Sequence, residues 1–320
     1  AVKALGIGEN DYVITSPYTF TATAEILRYE NAHPLFVDID EKSFNINPAL
    51  TEQALQRAGR EGRTVKGIIP VHIAGRPCEM EALLKLGEEF GVPVIEDAAH
   101  AFPVKTELGW AGTLGEMGVF SFYATKPITT GEGGMVVSNR DDLARTVRTL
   151  RLHGIDRSVW DRYHAKKSSW EYDVVAPGYK YNLSDILAAV GVVQVKKAEH
   201  FLKRRREIAA KYLGELGGED YLILPEAEKE SGNGVHAWHL FILRIRPELL
   251  AIGRDEFMHL LSEANIGVSL HYRPLYLMTY YRDSYGLEAG DFPSSQAVYR
   301  TCFSIPLYDG LSDEEVEYII

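Results

Sequence analysis

The segment VIEDAAHAF (residues 94–102) combines a strand with the polar residues that follow it. Its apolar run ends in Glu96 and Asp97, and His100 comes three residues after Asp97. A carboxylate at the end of an apolar strand is held rigidly and is poorly solvated, which strengthens its pairing with a cation. An ordinary hydrophobic core does not need these side chains, so the segment marks a candidate site as well as a strand.

Two further segments have the same design. FSFYATKPITTGEGG (residues 120–134) starts as a strand that delivers Ser121, continues to Lys126, and ends in a loop rich in Thr and Gly. SPYTFTATA (residues 16–24) places Phe20 between a strand and a helix. Ligands of parallel α/β sheets bind at the carboxyl ends of the strands, so chemistry is expected where these segments end.

Outward from these segments, the first half of the chain alternates β-branched runs with amphipathic helical patterns. This alternation predicts right-handed strand–helix–strand units and a mainly parallel sheet with helices on both faces. The predicted strands are 12–15, 34–37, 67–72, 93–96, 118–123 and 134–138, and the predicted helices are 21–29, 48–58, 79–90 and 140–152.

The second half begins with a long helical pattern and continues into a smaller α+β region. We expect a helix over 182–216, then a strand over 236–245, a helix over 254–264 and a strand over 268–271. The sequence SDEE near the end has the Ser-x-x-Glu spacing of a capping box. Two domains are therefore expected, a large α/β domain over 1–235 and a small α+β domain over 236–320.

Composition and charge exclude several classes of protein. The net charge of −11 over 320 residues disfavours nucleic acid as a ligand, and the basic run at 203–206 is predicted to be a solvated helix face. No apolar run approaches the ~20 residues that span a membrane. Cys78 and Cys302 form no CxxC pair, which fits a reducing cytoplasm. His236 and His239 would point to opposite faces of a strand, so no metal site is expected.

The polar residues of the three segments meet the needs of pyridoxal phosphate (PLP). PLP needs a lysine amine that binds it and shuttles a proton, and a carboxylate that keeps its pyridine nitrogen protonated. It also needs an aromatic ring over one face, and hydroxyl or amide groups for its phosphate. The candidates are Lys126, Asp97, Phe20 and Ser121, respectively. Simpler interpretations exist: a lysine is usually a surface charge, an Asp before alanines is a common helix cap, and an aromatic at a strand end is usually core.

Five motifs in register resemble the sugar-nucleotide aminotransferases of the DegT family. The resemblance extends from ALGIGENDYVITSP (residues 4–17) to IPLYDGLSDEEVEYI (residues 305–319), which is nearly the whole chain. It implies PLP-dependent transferase fold type I, with a mainly parallel sheet flanked by helices. The motifs are PYTFTATAEI, PLFVDID, VIEDAAHA, FSFYATKPITTGEGGMVV and GYKYNLSDILAAVG.

The resemblance implies a function for each candidate in the cofactor site. Lys126 corresponds to the lysine that binds PLP covalently, and Ser121 to the serine that binds its phosphate. Asp97 corresponds to the partner of the pyridine nitrogen, His100 contacts the ring hydroxyl, and Phe20 stacks on the ring. The family also has a turn of S-G-T-x-A-L type that binds phosphate, and this turn would precede Ala1. The start and end of the sequence both fall inside helical patterns, so we expect a longer natural chain.

The resemblance also implies contacts beyond one subunit. Lys180 and Asn182 of the GYKYN segment would reach the phosphate or the substrate in a neighbouring subunit, which implies a homodimer with shared active sites. His271 and Tyr272 follow the strand predicted at 268–271 and are candidates for binding the substrate's nucleotide.

The expected reaction moves an amino group from glutamate to a keto-deoxy-sugar on a nucleotide, for synthesis of amino sugars and surface polysaccharide. Family members that dehydrate their substrate have His where this chain has Lys126, so transamination is favoured. Two alternatives remain open at this point: another PLP reaction on a keto-sugar, such as dehydration, and a non-catalytic regulatory protein with the same fold.

Overall fold

The computed structural model describes residues 1–156, 171–226 and 236–320. In the first half, strands and helices alternate in the predicted way, with boundaries within a few residues of those expected. The elements in chain order are β1 (Tyr12–Thr15), α1 (Ala22–Tyr29), β2 (His33–Phe36), α2 (Pro48–Arg60), β3 (Val65–Ile69), α3 (Met80–Phe90), β4 (Ile95–Asp97), β5 (Lys105–Thr106), β6 (Gly109–Trp110), β7 (Met117–Ser121), β8 (Gly134–Val137) and α4 (Asp141–Leu150).

The first sheet is mainly parallel, as predicted. Strand β1 pairs in parallel with β2 and β3, and β4 pairs in parallel with β7. Single parallel bridges, Ile68 to Val94 and Val71 to Asp97, join β3 to β4, and β8 runs antiparallel beside β7. The strand order is therefore β2-β1-β3-β4-β7-β8. The parallel strands all end at one edge, which brings their following residues together.

Both faces of this sheet are covered by helices because neighbouring strand residues point to opposite sides. In β1, Val13 packs with Leu27 of α1 and Leu143 of α4. The next residue, Ile14, packs on the other face with helices α2 and α3, through Leu55 and Leu83 among others. The sequence-based expectation of a two-sided core is therefore confirmed.

The second half contains a long helix and a small antiparallel sheet of order β11-β10-β9. Residues 227–235, where the expected domain boundary at 235/236 falls, lie outside the described residues. The elements are α5 (Asp185–Glu215), β9 (Leu222–Ile223), β10 (Phe241–Ile245), α6 (Arg254–Glu263), α7 (Thr279–Tyr285), α8 (Pro293–Thr301), β11 (Cys302–Ile305) and α9 (Asp313–Ile319). The predicted capping box is present at the start of α9, where Ser312 and Glu315 bind each other's backbone N–H.

Helix α5 has two different halves. Its first half exposes apolar side chains, including Ile186 and Val193, which are 80% and 50% exposed. Its second half packs against the small sheet through Ile208, Ala209 and Tyr212. One helix thus belongs to a core at one end and presents an uncovered apolar surface at the other.

Two strand predictions for the second half are wrong in detail. The strand expected over 236–245 begins only at Phe241, because residues 237–240 pair with the loop at 74–75 instead. Residues 268–271 form a single bridge, Ser269 to Ser304, and the strand beside β10 is β11. The sequence pattern does not separate the short apolar run 302–305 from the helix that precedes it. Residues 268–271 were therefore predicted as the second strand instead.

The basic run at 203–206 is also not a wholly solvated face. Lys203 is exposed, but Arg205 is only 4% exposed. The Arg205 guanidinium donates to the carbonyl oxygens of Trp238 (3.1 Å) and Leu307 (2.8 Å). Successive residues of a helix are about 100° apart, so four adjacent basic residues cannot all face solvent on a packed helix.

Asp38, in the loop after β2, joins the two halves of the chain. Its buried carboxylate accepts hydrogen bonds from the backbone N–H of Ser294 (2.8 Å) and Ser295 (2.9 Å) at the start of α8. The Ser295 hydroxyl donates to the same carboxylate. No helix among the described residues is long and apolar enough to cross a membrane.

Candidate active site

The candidate site lies at the edge where the parallel strands of the first sheet end. Strand β4 ends at Asp97, and β7 ends at Ser121 before the turn that carries Lys126. The segment after β1 reaches Asp97 through helix α1, because the Thr23 hydroxyl donates to Asp97 Oδ2 at 2.8 Å. The three segments singled out in the sequence therefore meet at one edge.

The Asp97 carboxylate is held in a fixed orientation but is not closed off. Besides the Thr23 bond, its Oδ1 accepts from the backbone N–H of Ala99 at 3.1 Å. Thr23 is itself 3.0 Å from the Thr19 hydroxyl. A carboxylate has about four acceptor positions, so two remain for a cationic N–H.

The Lys126 amine is half buried beside this carboxylate. Burial lowers the pKa of Lys126, and the negative charge of Asp97 opposes part of that effect. A lowered pKa raises the fraction of neutral amine at neutral pH, and the neutral amine is the nucleophilic form. Within the part of the chain that the structure describes, Nζ makes no ion pair or hydrogen bond.

His100 is buried and its ring is oriented by two contacts. Its Nδ1 accepts from the backbone N–H of Ala74 (3.3 Å), and its Nε2 lies 3.0 Å from the Tyr272 hydroxyl. Burial lowers the pKa of His100 to well below its usual range, and the positive charges of Lys126 and His271 act in the same direction. The ring is therefore neutral at physiological pH.

Tyr272 and His271 complete the wall of the site. Burial raises the pKa of Tyr272, with a further contribution from Asp97, so its hydroxyl keeps its proton. Burial lowers the pKa of His271 to about 4, with a contribution from Lys126, and its Nδ1 lies 2.9 Å from the Ser304 hydroxyl. The Phe20 ring is 59% exposed and lies 6.4 Å from the Tyr272 ring, centroid to centroid.

Three predicted residues are not joined to this cluster. Ser121 is partly buried at the end of β7, and its hydroxyl accepts from the backbone N–H of Tyr123 (3.3 Å). Lys180 and Asn182 are exposed and hydrogen-bond to each other. In the described residues, no hydrogen bond connects any of the three to Asp97, Lys126 or His100.

Glu96, the strand neighbour of Asp97, serves the fold and not the site. It is fully buried and lies 3.1 Å from His72 Nε2. Its two oxygens also accept from the backbone N–H of Gly112 (2.7 Å), Leu114 (2.6 Å) and Gly115 (2.9 Å). These bonds satisfy the carboxylate inside the fold and leave it no free acceptor position for a ligand.

Two residues near the site were missed by sequence reasoning. Thr23 lies one helical turn after Thr19, and this i, i+4 spacing was the available signal. His239 is buried with its ring 4.4 Å from that of His100, but it had been placed in a strand and judged only as a metal ligand. No group of three or more potential metal ligands occurs in 1–156, 171–226 or 236–320.

The donor set of this cluster fits PLP. Asp97 offers free acceptor positions to a protonated pyridine nitrogen, and Lys126 offers an amine with a lowered pKa. Neutral His100 adds no charge to the site, and the protonated Tyr272 hydroxyl that it contacts offers a hydrogen bond. The exposed Phe20 ring is free to cover a flat ligand.

Comparisons with known proteins agree with this chemistry. The sequence profile of the DegT/DnrJ/EryC1/StrS aminotransferase family matches residues 1–320. The spore coat polysaccharide biosynthesis protein SpsC of Bacillus subtilis is 40% identical over 321 residues, covering 100% of this chain and 80% of SpsC.

Two solved structures share the fold over nearly the whole chain. A DegT DnrJ EryC1 StrS aminotransferase from Brucella abortus has a TM-score of 0.87 and 30% identity, covering 99% of this chain and 80% of that one. Spr1654 from Streptococcus pneumoniae, solved in its PLP form, has a TM-score of 0.84 and 28% identity, covering 99% of this chain and 81% of that one.

Proposed function

This chain belongs to the DegT/DnrJ/EryC1/StrS aminotransferase family and uses PLP, and we propose that it moves an amino group from glutamate onto a keto-deoxy-sugar carried by a nucleotide. The proposal depends mainly on the Lys126 amine. Burial lowers its pKa, and the neighbouring Asp97 carboxylate opposes part of that shift. An amine in this setting suits both covalent attachment of the cofactor and proton transfer.

Each residue of the cluster contributes a separate property. PLP, when bound, supplies an aldehyde that links to amines and a ring that withdraws electrons from the reacting carbon. Asp97 accepts the N–H of the ring, and Thr23 and the Ala99 N–H keep the carboxylate in place for it. Phe20 would cover the ring and Ser121 would bind its phosphate. Both ring nitrogens of His100 already have protein partners, so His100 would act on the ring hydroxyl through the Tyr272 hydroxyl.

Lys126 moves the proton in the reaction. Its Nζ would take a proton from the amino-bearing carbon of the donor and deliver it to the aldehyde carbon of the cofactor. In the second half of the cycle it would carry a proton from that carbon to the sugar carbon that receives the amine. The partial burial of Lys126 limits access of water to this proton. A lysine at this position, where a histidine would favour dehydration, supports transamination over that alternative.

The acceptor is proposed from the site wall and from a relative. His271 is close enough to Lys126 for that amine to lower its pKa, and Tyr272 contacts His100, so we expect both to contact a sugar nucleotide. SpsC takes part in spore coat polysaccharide biosynthesis, so a related amino-sugar pathway is proposed for this chain. The two described cysteines are free and buried, which is compatible with a cytoplasmic enzyme. Residues 1–235 would form the cofactor-binding domain and 236–320 the small domain.

We propose that a second copy of the chain covers the first half of α5. The exposed apolar side chains there include Ile186, Val190 and Val193, and Lys180 and Asn182 precede the helix on the same exposed stretch. An exposed apolar surface of this kind marks an interaction site. A dimer built on it would bring Lys180 and Asn182 to the partner's site, and sedimentation velocity should give the mass of two chains.

An absorbance titration with PLP tests the proposed chemistry. The wild-type chain should develop a visible band at about 410–430 nm, and glutamate should bleach it. Lys126→Ala should lose the band and about 10⁴-fold or more of the transfer rate, because it lacks both the covalent link and the proton carrier. Lys203→Ala, at an exposed lysine, is the matched control and should behave as wild type.

The outcomes separate the alternatives. A chain that stays colourless at saturating PLP would contradict the enzyme proposal and leave the regulatory one. A coloured chain that ignores every amino donor would leave a reaction other than transamination. With glutamate as donor, a screen of nucleotide keto-sugars read by mass identifies the acceptor, because its keto oxygen is replaced by one nitrogen and three hydrogen atoms.

A further inference from the structure

His239 lies between the small sheet and the candidate site. It is 7% exposed and belongs to residues 236–240, which precede β10. The backbone N–H groups of Ala237 and His239 donate to the carbonyl oxygens of Gly75 and Ala74, each at 2.9 Å. The segment that leads into the second sheet is thus attached to the loop that follows β3.

The same loop residue holds the ring of His100. The Ala74 carbonyl accepts from His239 N–H, while the Ala74 N–H donates to His100 Nδ1. The two imidazole rings also pack directly, with centroids 4.4 Å apart and planes inclined by 49°. His239 therefore restrains His100 in two ways, through ring contact and through Ala74, whose backbone bonds to both residues.

This restraint fixes the direction of the hydrogen bonds. Because His100 Nδ1 accepts from Ala74, the proton of the neutral ring is on Nε2, where it donates to the Tyr272 hydroxyl. The Tyr272 hydroxyl proton then has no other acceptor among the described residues. It is therefore available to a bound ligand.

His239 is kept neutral by its surroundings. Burial lowers its pKa well below the usual range, and the neighbouring His100 ring and Lys126 amine add to this effect. Arg205, which donates to the carbonyl oxygen of Trp238, and His271 are the other groups that act on it. Its Nδ1 has no hydrogen-bond partner in the described part of the chain. A buried ring nitrogen without a partner destabilises the fold, so an apolar ring would serve better here if the role were packing alone.

We propose that His239 is a positioning residue for the cofactor site: packed on His100, it holds that ring against the Ala74 N–H and so keeps Tyr272 oriented as a donor to the ligand. This inference rests on the proposed function, because the ligand in question is PLP with its substrate. His239 itself contacts no reacting atom and acts through His100.

The test compares His239→Ala and His239→Phe in the whole chain, with and without PLP. The first readout is the ¹⁵N NMR signal of His100, which reports which ring nitrogen carries the proton. His239→Ala should mix the two tautomers and raise the dissociation constant of PLP about tenfold, the lower end for loss of an outer positioning group. His239→Phe keeps a flat ring in place and should restore both values to within about twofold.

His236→Ala is the matched control, because His236 is buried on the same segment and its ring stacks on Trp238 instead of on His100. It should leave the His100 signal and the PLP affinity unchanged even if it destabilises the fold. If His239→Ala leaves both readouts as in wild type, the positioning inference is wrong. If that variant does not fold, a change of tautomer in His239→Phe is enough to reject it. A wild-type chain that fails to bind PLP would contradict the proposed function instead, and the His100 signal would still test the restraint.

Discussion

Glu96 and Asp97 are neighbouring carboxylates on one strand, and they differ in how completely the fold satisfies them. Glu96 is fully buried and accepts four hydrogen bonds, three of them from backbone N–H groups. Asp97 is partly exposed and accepts two, from Thr23 and Ala99. Alternation along the strand sends the first into the interior and the second to the site.

The difference separates a group that stabilises the fold from one that is available for chemistry. A buried carboxylate with all its acceptor positions filled contributes to folding and has little capacity left for a ligand. A carboxylate held by two bonds keeps its orientation and retains free positions, which is the requirement for a binding group. Substitutions at the two positions should therefore have opposite signatures.

The largest expected effect on stability is at Glu96. Glu96→Ala leaves His72 and three buried backbone N–H groups without their acceptor, so the free energy of unfolding should fall by about 3–5 kcal/mol. Urea denaturation of the chain measures it. Glu263→Ala, at an exposed carboxylate, is the control and should change it little. A loss below about 1 kcal/mol at Glu96 would remove the basis of the comparison.

The next effect is on catalysis and is at Asp97. Asp97→Asn keeps the shape and one acceptor oxygen but removes the charge that faces the cofactor, so kcat should fall about 10²–10³-fold. The free energy of unfolding should change by less than about 1 kcal/mol. Steady-state rates and urea denaturation of the same preparation give both values. A large loss of stability with little loss of rate would reverse the assignments of the two carboxylates.

A smaller effect is expected at the residue that orients Asp97. Thr23→Val removes the hydrogen bond to Oδ2 while keeping the volume, and the loss of a bond to a charged group is worth about 1.5–3 kcal/mol. Most of this lost free energy should appear as a lower rate of transfer and little of it as lower stability. Thr51→Val is the control, because Thr51 is buried and donates to the Asn47 carbonyl oxygen in α2. Thr51→Val should lower the free energy of unfolding without lowering the rate. If Thr51→Val and Thr23→Val lower the rate equally, Thr23 has no positioning role.

The smallest effect is a change of stability with pH. Burial alone would raise the pKa of Glu96, but the His72 hydrogen bond and the backbone N–H groups outweigh it and hold the pKa below the usual 4.5. The contribution of Glu96 is therefore complete above that value and is lost as the pH falls through the lower pKa of the folded state. The slope is at most about 1.4 kcal/mol per pH unit. This dependence of the free energy of unfolding on pH should be absent in Glu96→Ala. Urea midpoints measured between pH 5 and 3 test it.

Much of the first sheet and part of the site could be predicted from the sequence. Parallel strands buried between helices have clear apolar patterns, and the residues after them are confined to one edge, so Asp97, Lys126 and His100 were found together. The family and its cofactor followed from motifs in register.

Contacts between distant segments could not be predicted in this way. The neighbours of His239 and Arg205 are set by how residues 236–240 meet the loop at 74–75, and no local pattern encodes this meeting. Strand β11 was missed for the same reason, since its partner β10 lies about 60 residues away and only pairing distinguishes it from a helix end. Thr23 was hidden because hydroxyls in helices usually serve the local backbone.

The Asp38 bonds to the start of α8 have a consequence for how the chain is made. Asp38 and Ser294 are separated by 256 residues, so at about 5–20 residues per second the ribosome needs roughly 13–50 s to supply the partner of this carboxylate. His100 and Tyr272 are separated by 172 residues, so their contact also forms late in synthesis. During synthesis the sheet can therefore form well before the site, because a chain must extend past residue 272 to carry the full set of residues proposed to hold the ligand.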